Sequence, residues 1–408
     1  MKVFRLFLLA PLVFFGTNSL RAQTNDLFQL MEQAIQDSPA VQAAKIDIDR
    51  AEATAGSLEA GPYEFEFFVS GARREINDPL VMPNEFDEWE AGISRTVRLP
   101  GKRSTDLELA SLEVEFARAK YAKVLNDQQW TFIENWNDWS RLALLSGVLE
   151  EQYIDARRLA DLEQKKVDDG AGRQVNADQL KLEADLIQLE LEQNNLSKMN
   201  ARSRLETSYP NVIFPVEPIS FAIPDFEALL AEDEIVQPEQ RLAEIASEQA
   251  SYSAVRSRQN RLPDPTLQLS YTDEFGGLEN TIVASISIPI GGKARSSASR
   301  EAEAYSLMQT MNLEEIQRQA NQNFYSVRQG YSVALQSLER AKSAQDASQS
   351  VLDRIQQGYR SGNMTLTELL AAKRSHRQTE RYIIEQTANA ELAAMKYWIL
   401  AEGSFTPE

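Results

Sequence analysis

The sequence predicts a mainly helical chain with a small β part, built twice from one unit: a helix, two strands, a very long helix, a glycine-containing turn and a further helix. Three observations predict it. Ser104 to Val167 and Ser296 to Gln357 contain no proline and one glycine each, Gly147 and Gly330. Each can run as a single helix of roughly 60 residues, about 95 Å long at 1.5 Å per residue. Four short alternating segments come in two pairs, one pair before each long helix. The two halves also answer each other at their junctions.

The first residues read as an export leader. Lys2 and Arg5 precede the apolar run Leu6 to Phe15, which at about ten residues suits a secretory core and falls short of the ~20 that span a bilayer as a helix. Ala22 is the expected last residue removed, so the domains run 1–22 (leader), 23–210 (first repeat), 211–238 (connector) and 239–408 (second repeat). Ser38-Pro39 opens the first helix of one half and Gln237-Pro238 that of the other. Five of the fifteen prolines (Pro210, Pro215, Pro218, Pro224, Pro238) mark the connector, because proline at that density interrupts long helices.

Strands are expected at about 63–70, 89–99, 265–271 and 280–289. Tyr63, Phe65, Phe67 and Val69 fall on one face of the first, and Trp89, Ala91, Ile93, Val97 and Leu99 on one face of the second, with Arg95 breaking the run. Leu267, Leu269 and Tyr271 share a face in the third; Ile282, Ala284, Ile286 and Ile288 share one in the fourth. Lengths of about 8–11 residues suit tilted membrane strands, and equally a pair of hairpins in a soluble α+β domain. Four strands are too few to close a barrel, and open edges are not tolerated in lipid. Strands that span a membrane would therefore be pooled by several copies; three give twelve.

In the second long helix, Phe324, Val327, Tyr331, Ala334, Leu338, Ala341, Gln345, Ser348, Leu352 and Ile355 recur in steps of four and three, a coiled-coil seam. The turns Gly172 to Asp178 and Gly362 to Glu368 correspond, each with an acidic residue six positions after the glycine. Thr365 with Glu368 has capping-box spacing, and Asn176 with Gln179 a weaker version.

Composition narrows the function. With 42 basic and 61 acidic residues the net charge is −19, and loss of Lys2, Arg5 and Arg21 with the leader makes it −22. This argues against a nucleic-acid partner. Zero cysteines exclude disulfides, thiolate chemistry, cysteine zinc sites and an acylated N-terminal cysteine. A single histidine, His376, leaves little for a catalytic triad or a histidine metal site; it shares a seam with Ala372, Thr379 and Ile383, a place for polar packing. The mean hydropathy of −0.40 leaves no transmembrane helix beyond the N-terminus. No cofactor is expected.

The internal repeat and the run Tyr359-Arg360-Ser361-Gly362-Asn363-Met364-Thr365-Leu366-Thr367-Glu368-Leu369-Leu370-Ala371-Ala372 resemble the TolC family of outer-membrane efflux proteins over nearly the whole mature chain. Val97-Arg98-Leu99-Pro100-Gly101-Lys102-Arg103 is similar to its CzcC-like heavy-metal branch. The resemblance implies a channel-tunnel fold, a homotrimer with a twelve-stranded outer-membrane barrel and a twelve-helix periplasmic tunnel. It also implies a periplasmic adaptor, an inner-membrane pump of RND type and no enzymatic chemistry.

By the same resemblance the two turns are periplasmic tips held shut by polar contacts, with Tyr359 donating toward Asp178 and with Arg360, Glu368, Gly172 and Gly362 beside them. Met364 stands where other members carry a basic residue, which leaves Arg360 and Arg173 as nearby cations. Asp168 and Asp169, with Asp178 and Glu368, would ring the entrance and favour cations, against a plain solvated helix end. Trp89, Lys102, Arg103 and Lys293 would mark the membrane edge by interfacial or snorkelling contacts with lipid, against simple surface placement. The competing functions are a drug-efflux or type I secretion duct, and a non-channel periplasmic adaptor or structural coiled coil.

Overall fold

Two runs of elements repeat each other in the computed structural model, which describes residues 17–76, 85–219, 221, 223 and 236–401. Helix α2 (Pro39–Ala60), strands β1 (Glu66–Glu75) and β2 (Glu85–Thr96), and helices α3 (Pro100–Asp168) and α4 (Gln174–Ser208) form the first. Helix α5 (Pro238–Gln259), strands β3 (Thr266–Glu274) and β4 (Glu279–Ser287), and helices α6 (Lys293–Arg360) and α7 (Leu366–Ala401) form the second. Matching helices have 22 and 22, 69 and 68, and 35 and 36 residues, so the duplication extends to element length. Helix α1 (Thr17–Gln36) precedes the first run and passes through Ala22. The apolar leader core Leu6 to Phe15 lies outside the described residues, and so do positions 224–235 of the connector.

Proline opens α2, α3 and α5, where its missing N–H is one the helix could not bond and its fixed φ already suits the first turn. At α5 the Gln240 side chain accepts the Gln237 backbone N–H at 2.8 Å, closing a cap. The seam read along α6 is the packed one: Tyr331, Leu338, Ala341 and Leu352 are buried and the other seam positions half-buried, while most residues between them are exposed. Among the described residues no helix is long and apolar enough to cross a membrane.

The four strands form one antiparallel sheet in the order β1-β2-β3-β4. Observed strands are offset from those expected. Tyr63 is drawn into a hydrogen bond with Asp264 at 2.8 Å, so the ladder starts at Glu66. At the other end it continues through Gly71–Glu75 and Glu85–Glu88, polar residues that side-chain alternation does not signal because the backbone makes the ladder.

The chain divides into two units, each drawing on both repeats. A sheet unit, Ala43–Lys123 and Val236–Ala320, contains the strands, and in it Leu112 and Ala119 of α3 pack with Ile245 of α5. A turn unit, Met1–Gln42, Val124–Ile235 and Asn321–Glu408, contains both helix turns and an aromatic core. There Trp136 and Trp139 meet edge to face at 5.1 Å and Phe132 lies 5.5 Å from Tyr209. The start of the connector belongs to this core: Tyr209, Val212 and Phe214 are buried, and Ile219 accepts the Trp136 indole N–H at 3.3 Å.

Glu391 of α7 is buried in the same unit, and burial pushes its carboxyl up to about 7. A carboxyl raised in the folded state makes folding take up a proton between its unfolded and folded values, so its penalty is absent at low pH and complete above neutrality. Glu391→Gln should therefore raise stability at pH 8, by on the order of 3 kcal/mol, and leave it unchanged near pH 4. Unfolding midpoints at the two pH values check this.

Candidate functional site

The sheet is inverted relative to a soluble one. Register places Phe67, Ile93, Leu269 and Ala284 in one row, and Val69, Ala91, Tyr271 and Ile282 in the next on the same face. These apolar side chains are the exposed ones: Phe67 is 76% accessible, Leu269 51% and Ile282 74%. The opposite face carries Glu66, Ser94, Gln268 and Ser285 in one row and Ser70, Glu90, Thr272 and Thr281 in another, and on β3 it is the less exposed side. Arg95, the interruption in the apolar run, lies on the apolar face with its guanidinium 4.5 Å from the Phe65 ring centre, which shields part of its charge. Trp89 sits in the row where that face turns polar, with Asp273 and Asn280, and packs on Tyr271 at 5.4 Å. From Trp89 to Thr96, β2 covers about 24 Å of strand.

Where strands pass into helices, the junction is charged and buried. Lys102 is not an edge residue. It is 2% exposed, its Nζ lies 3.0 Å from Asp264, and it donates to the Leu262 carbonyl at 2.6 Å. Asp264 also accepts the Leu99 backbone N–H at 3.1 Å and the Tyr63 hydroxyl. Burial alone would raise its carboxyl, but these donors and the Lys102 charge hold it below the usual carboxylate range. A second pair sits alongside, with Arg98 2.8 Å from Asp106 and Arg256 on the same carboxylate. The Val97–Arg103 run thus serves the junction, a role found only when segments some 160 residues apart are brought together. Arg103 and Lys293 are exposed.

The two helix turns are superimposable in their hydrogen bonds, but with a register other than the expected one. Gly170 (φ 72°) and Gly362 (φ 78°) are the left-handed residues. Ala171 and Gly172 donate to Lys166 as Asn363 and Met364 donate to Gly358. Gly170, not Gly172, therefore answers to Gly362, and Asp178 and Glu368 are not equivalent. Gly172 is required for another reason: a Cβ there would come within 3.0 Å of Lys166 and Val167, while at the matching pair it is Gly358 that makes room for Met364. One turn keeps the large residue before the glycine and the other keeps it after.

Caps differ accordingly. Glu368 accepts the Thr365 backbone N–H at 2.7 Å and Thr365 Oγ1 accepts that of Glu368 at 3.3 Å; these bonds, the backbone one foremost, hold the Glu368 carboxyl low. In the other turn Arg173 occupies the cap position without a side-chain bond, so the Asn176–Gln179 cap does not form; Asn176 is already inside α4.

Tyr359 does not reach Asp178. Its hydroxyl donates to Glu163 at 3.3 Å, and Asp178 accepts from Gln174 at 2.9 Å instead. Glu163 is buried and also bonds Lys166 at 2.8 Å, while Lys166 lies 5.5 Å from the Tyr359 ring centre. Burial, and then the Glu163 charge, push the Tyr359 phenol up. Further along α4, Glu183 is buried against Arg374, at 2.5 Å, and Arg377 of α7, and Glu190 pairs with Arg381 one heptad on. Glu163 sits in a packed row with Leu149, Ala156 and Ala160; a carboxylate at a core position of a seam is the sequence signal that marks it. Asp168, Asp169 and Arg360 are exposed at the ends of α3 and α6, and His376 is buried between Ser348, at 3.3 Å, and Glu380, at 3.4 Å.

No described protein family and no curated protein matches the sequence. Solved structures do. The outer membrane protein VceC from Vibrio cholerae is similar at 17% identity with a TM-score of 0.78, over 96% of this chain and 99% of that one. The outer-membrane channel OprN gives 16% and 0.76 over 95% and 93%, and the Campylobacter jejuni CmeC outer membrane channel 14% and 0.74 over 94% and 87%. The chain has the TolC-like channel-tunnel fold.

Removing one partner of a buried ion pair leaves the other charge stranded. Lys102→Met should cost about 3–5 kcal/mol, and Lys102→Met with Asp264→Asn should recover part of it, because a neutral amide oxygen can still accept the Leu99 N–H. Unfolding of both variants followed by tryptophan fluorescence checks the difference.

Proposed function

We propose that this chain is the outer-membrane exit duct of a tripartite efflux system, a passive homotrimer whose twelve pooled strands close a barrel in lipid and whose long helices form a periplasmic tunnel. The inverted sheet carries this reading. Among the described residues the sheet turns its apolar face outward and leaves both edges, β1 and β4, without a strand partner; such a face and such edges are liabilities in water, whereas closure in a bilayer satisfies both demands. In an antiparallel sheet of four strands β1 and β4 run in opposite directions, so β1 of one copy set beside β4 of the next continues the alternation around a ring. The fold likeness to VceC, OprN and CmeC agrees with it.

Export by a leader ending at Ala22 and residence in the outer membrane belong to the same proposal. Helical partners are supported by α4, whose Val175, Leu182, Leu189 and Leu196 are exposed at intervals of seven, opposite its buried seam. Neighbouring copies and a periplasmic adaptor would pack there, and an inner-membrane pump of RND type would supply the energy. The closed turn end is assigned to Tyr359–Glu163 and to the Glu183 and Glu190 pairs with α7, with Asp168 and Asp169 at the entrance. Heavy-metal cations are the proposed cargo. Their support is the acidic polar face (Glu66, Glu88, Glu90, Glu274 and Glu279 against Arg74); the Val97–Arg103 run lends none, being accounted for by the junction.

In planar bilayers the purified protein should form cation-selective channels. Tyr359→Phe and Glu183→Gln should each raise conductance, by about twofold or more if the turn end is the narrowest point. A water-soluble monomer without conductance would contradict the duct, and unchanged conductance in both variants would remove the closure assignment.

A further inference from the structure

The β3–β4 turn leans onto the polar face of the sheet. Phe275, Gly276 and Gly277 have φ of 51°, 66° and 92°. The glycines adopt that region freely, but a side chain there costs roughly 1 kcal/mol or more. Three neighbours hold Phe275 in place. Glu88 accepts its backbone N–H at 3.3 Å, Arg74 stacks its guanidinium 4.6 Å from the ring centre, and Phe86 meets the ring edge-on at 5.4 Å. Arg74 and Glu88 are themselves paired at 2.7 Å. Arg74 and Phe86 are register partners, and Glu88 shares their face with Glu90 and Ser94. Phe86 is only 8% exposed, although it lies near a strand end. The cluster ties β1, β2 and the turn together on the polar side.

We propose that Phe275 is the width-limiting residue of the loop-side mouth of the duct, and that Arg74 and Glu88 are the clamp that holds it there. The proposal rests on the duct reading, since the polar face lines a lumen only when the barrel closes. Copies related by rotation then bring their Phe275 rings around one opening, where an apolar ring of side chains restricts passage by size and by expelling water. Glu274 and Glu279, on the same face, add negative potential, so the mouth passes compact cations in preference to bulky anions.

The chain has no cysteine, so introduced thiols report alone. In planar bilayers Phe275→Ala should raise conductance about twofold. A membrane-impermeant thiol reagent added on the loop side should reduce the conductance of Phe275→Cys but not of Leu278→Cys, a neighbour in the same turn. If wild type conducts, Phe275→Ala is unchanged and fully labelled Phe275→Cys conducts as before, the mouth assignment fails while the duct stands. If no form conducts, the duct reading itself fails and takes the mouth with it.

Discussion

A sheet of four strands that turns its apolar side chains outward and, among the described residues, leaves both edges unpaired is disfavoured in water. The hydrophobic effect penalises the exposed face and unsatisfied backbone groups penalise the edges. Every other feature can be ordered around that constraint. In the proposed duct the polar face is free to carry glutamates because water, not core, would be its neighbour. The helices can be long and polar on average because in the proposed placement little of their surface would meet hydrocarbon. The duplicated unit supplies two hairpins per chain, and in the proposed ring repetition of the chain would supply the missing strand partners.

Strands of this kind must be aimed by the helices that follow them, and the junction is where this chain spends buried charge. Lys102–Asp264 and the Arg98–Asp106–Arg256 cluster are directional in a way apolar packing is not. They fix the angle at which β2 enters α3 and β3 leaves α5. At the turn end of the long helices, Glu163 and Glu183 are again buried carboxylates with polar partners.

Much of this was legible from residues alone. Absence of proline over long stretches foretells α3 and α6, four-and-three spacing foretells the α6 seam, and alternation finds the apolar face of all four strands. What was not legible depends on distant partners or on competing local signals. Lys102 reads as a surface cation until Asp264 is beside it. Two glycines in the first turn, Gly170 and Gly172, offer two registers; the acidic residues six positions on favour the wrong one, and only the backbone bonds decide. The expected partner of Tyr359 is Asp178, but its hydroxyl goes to Glu163, a buried carboxylate on α3 that the turn pattern does not single out.

In the proposed barrel the apolar face of the sheet meets lipid and the polar face meets water. Single cysteines placed in turn along β3, from Leu267 to Thr272, and spin-labelled in bilayers test it most directly, with oxygen as the lipid-soluble relaxant and a nickel chelate as the aqueous one. Labels at 267, 269 and 271 should favour oxygen and those at 268, 270 and 272 the nickel chelate, with a period of two residues. Equal access of the nickel chelate to all six positions, or the opposite phase, would contradict the account.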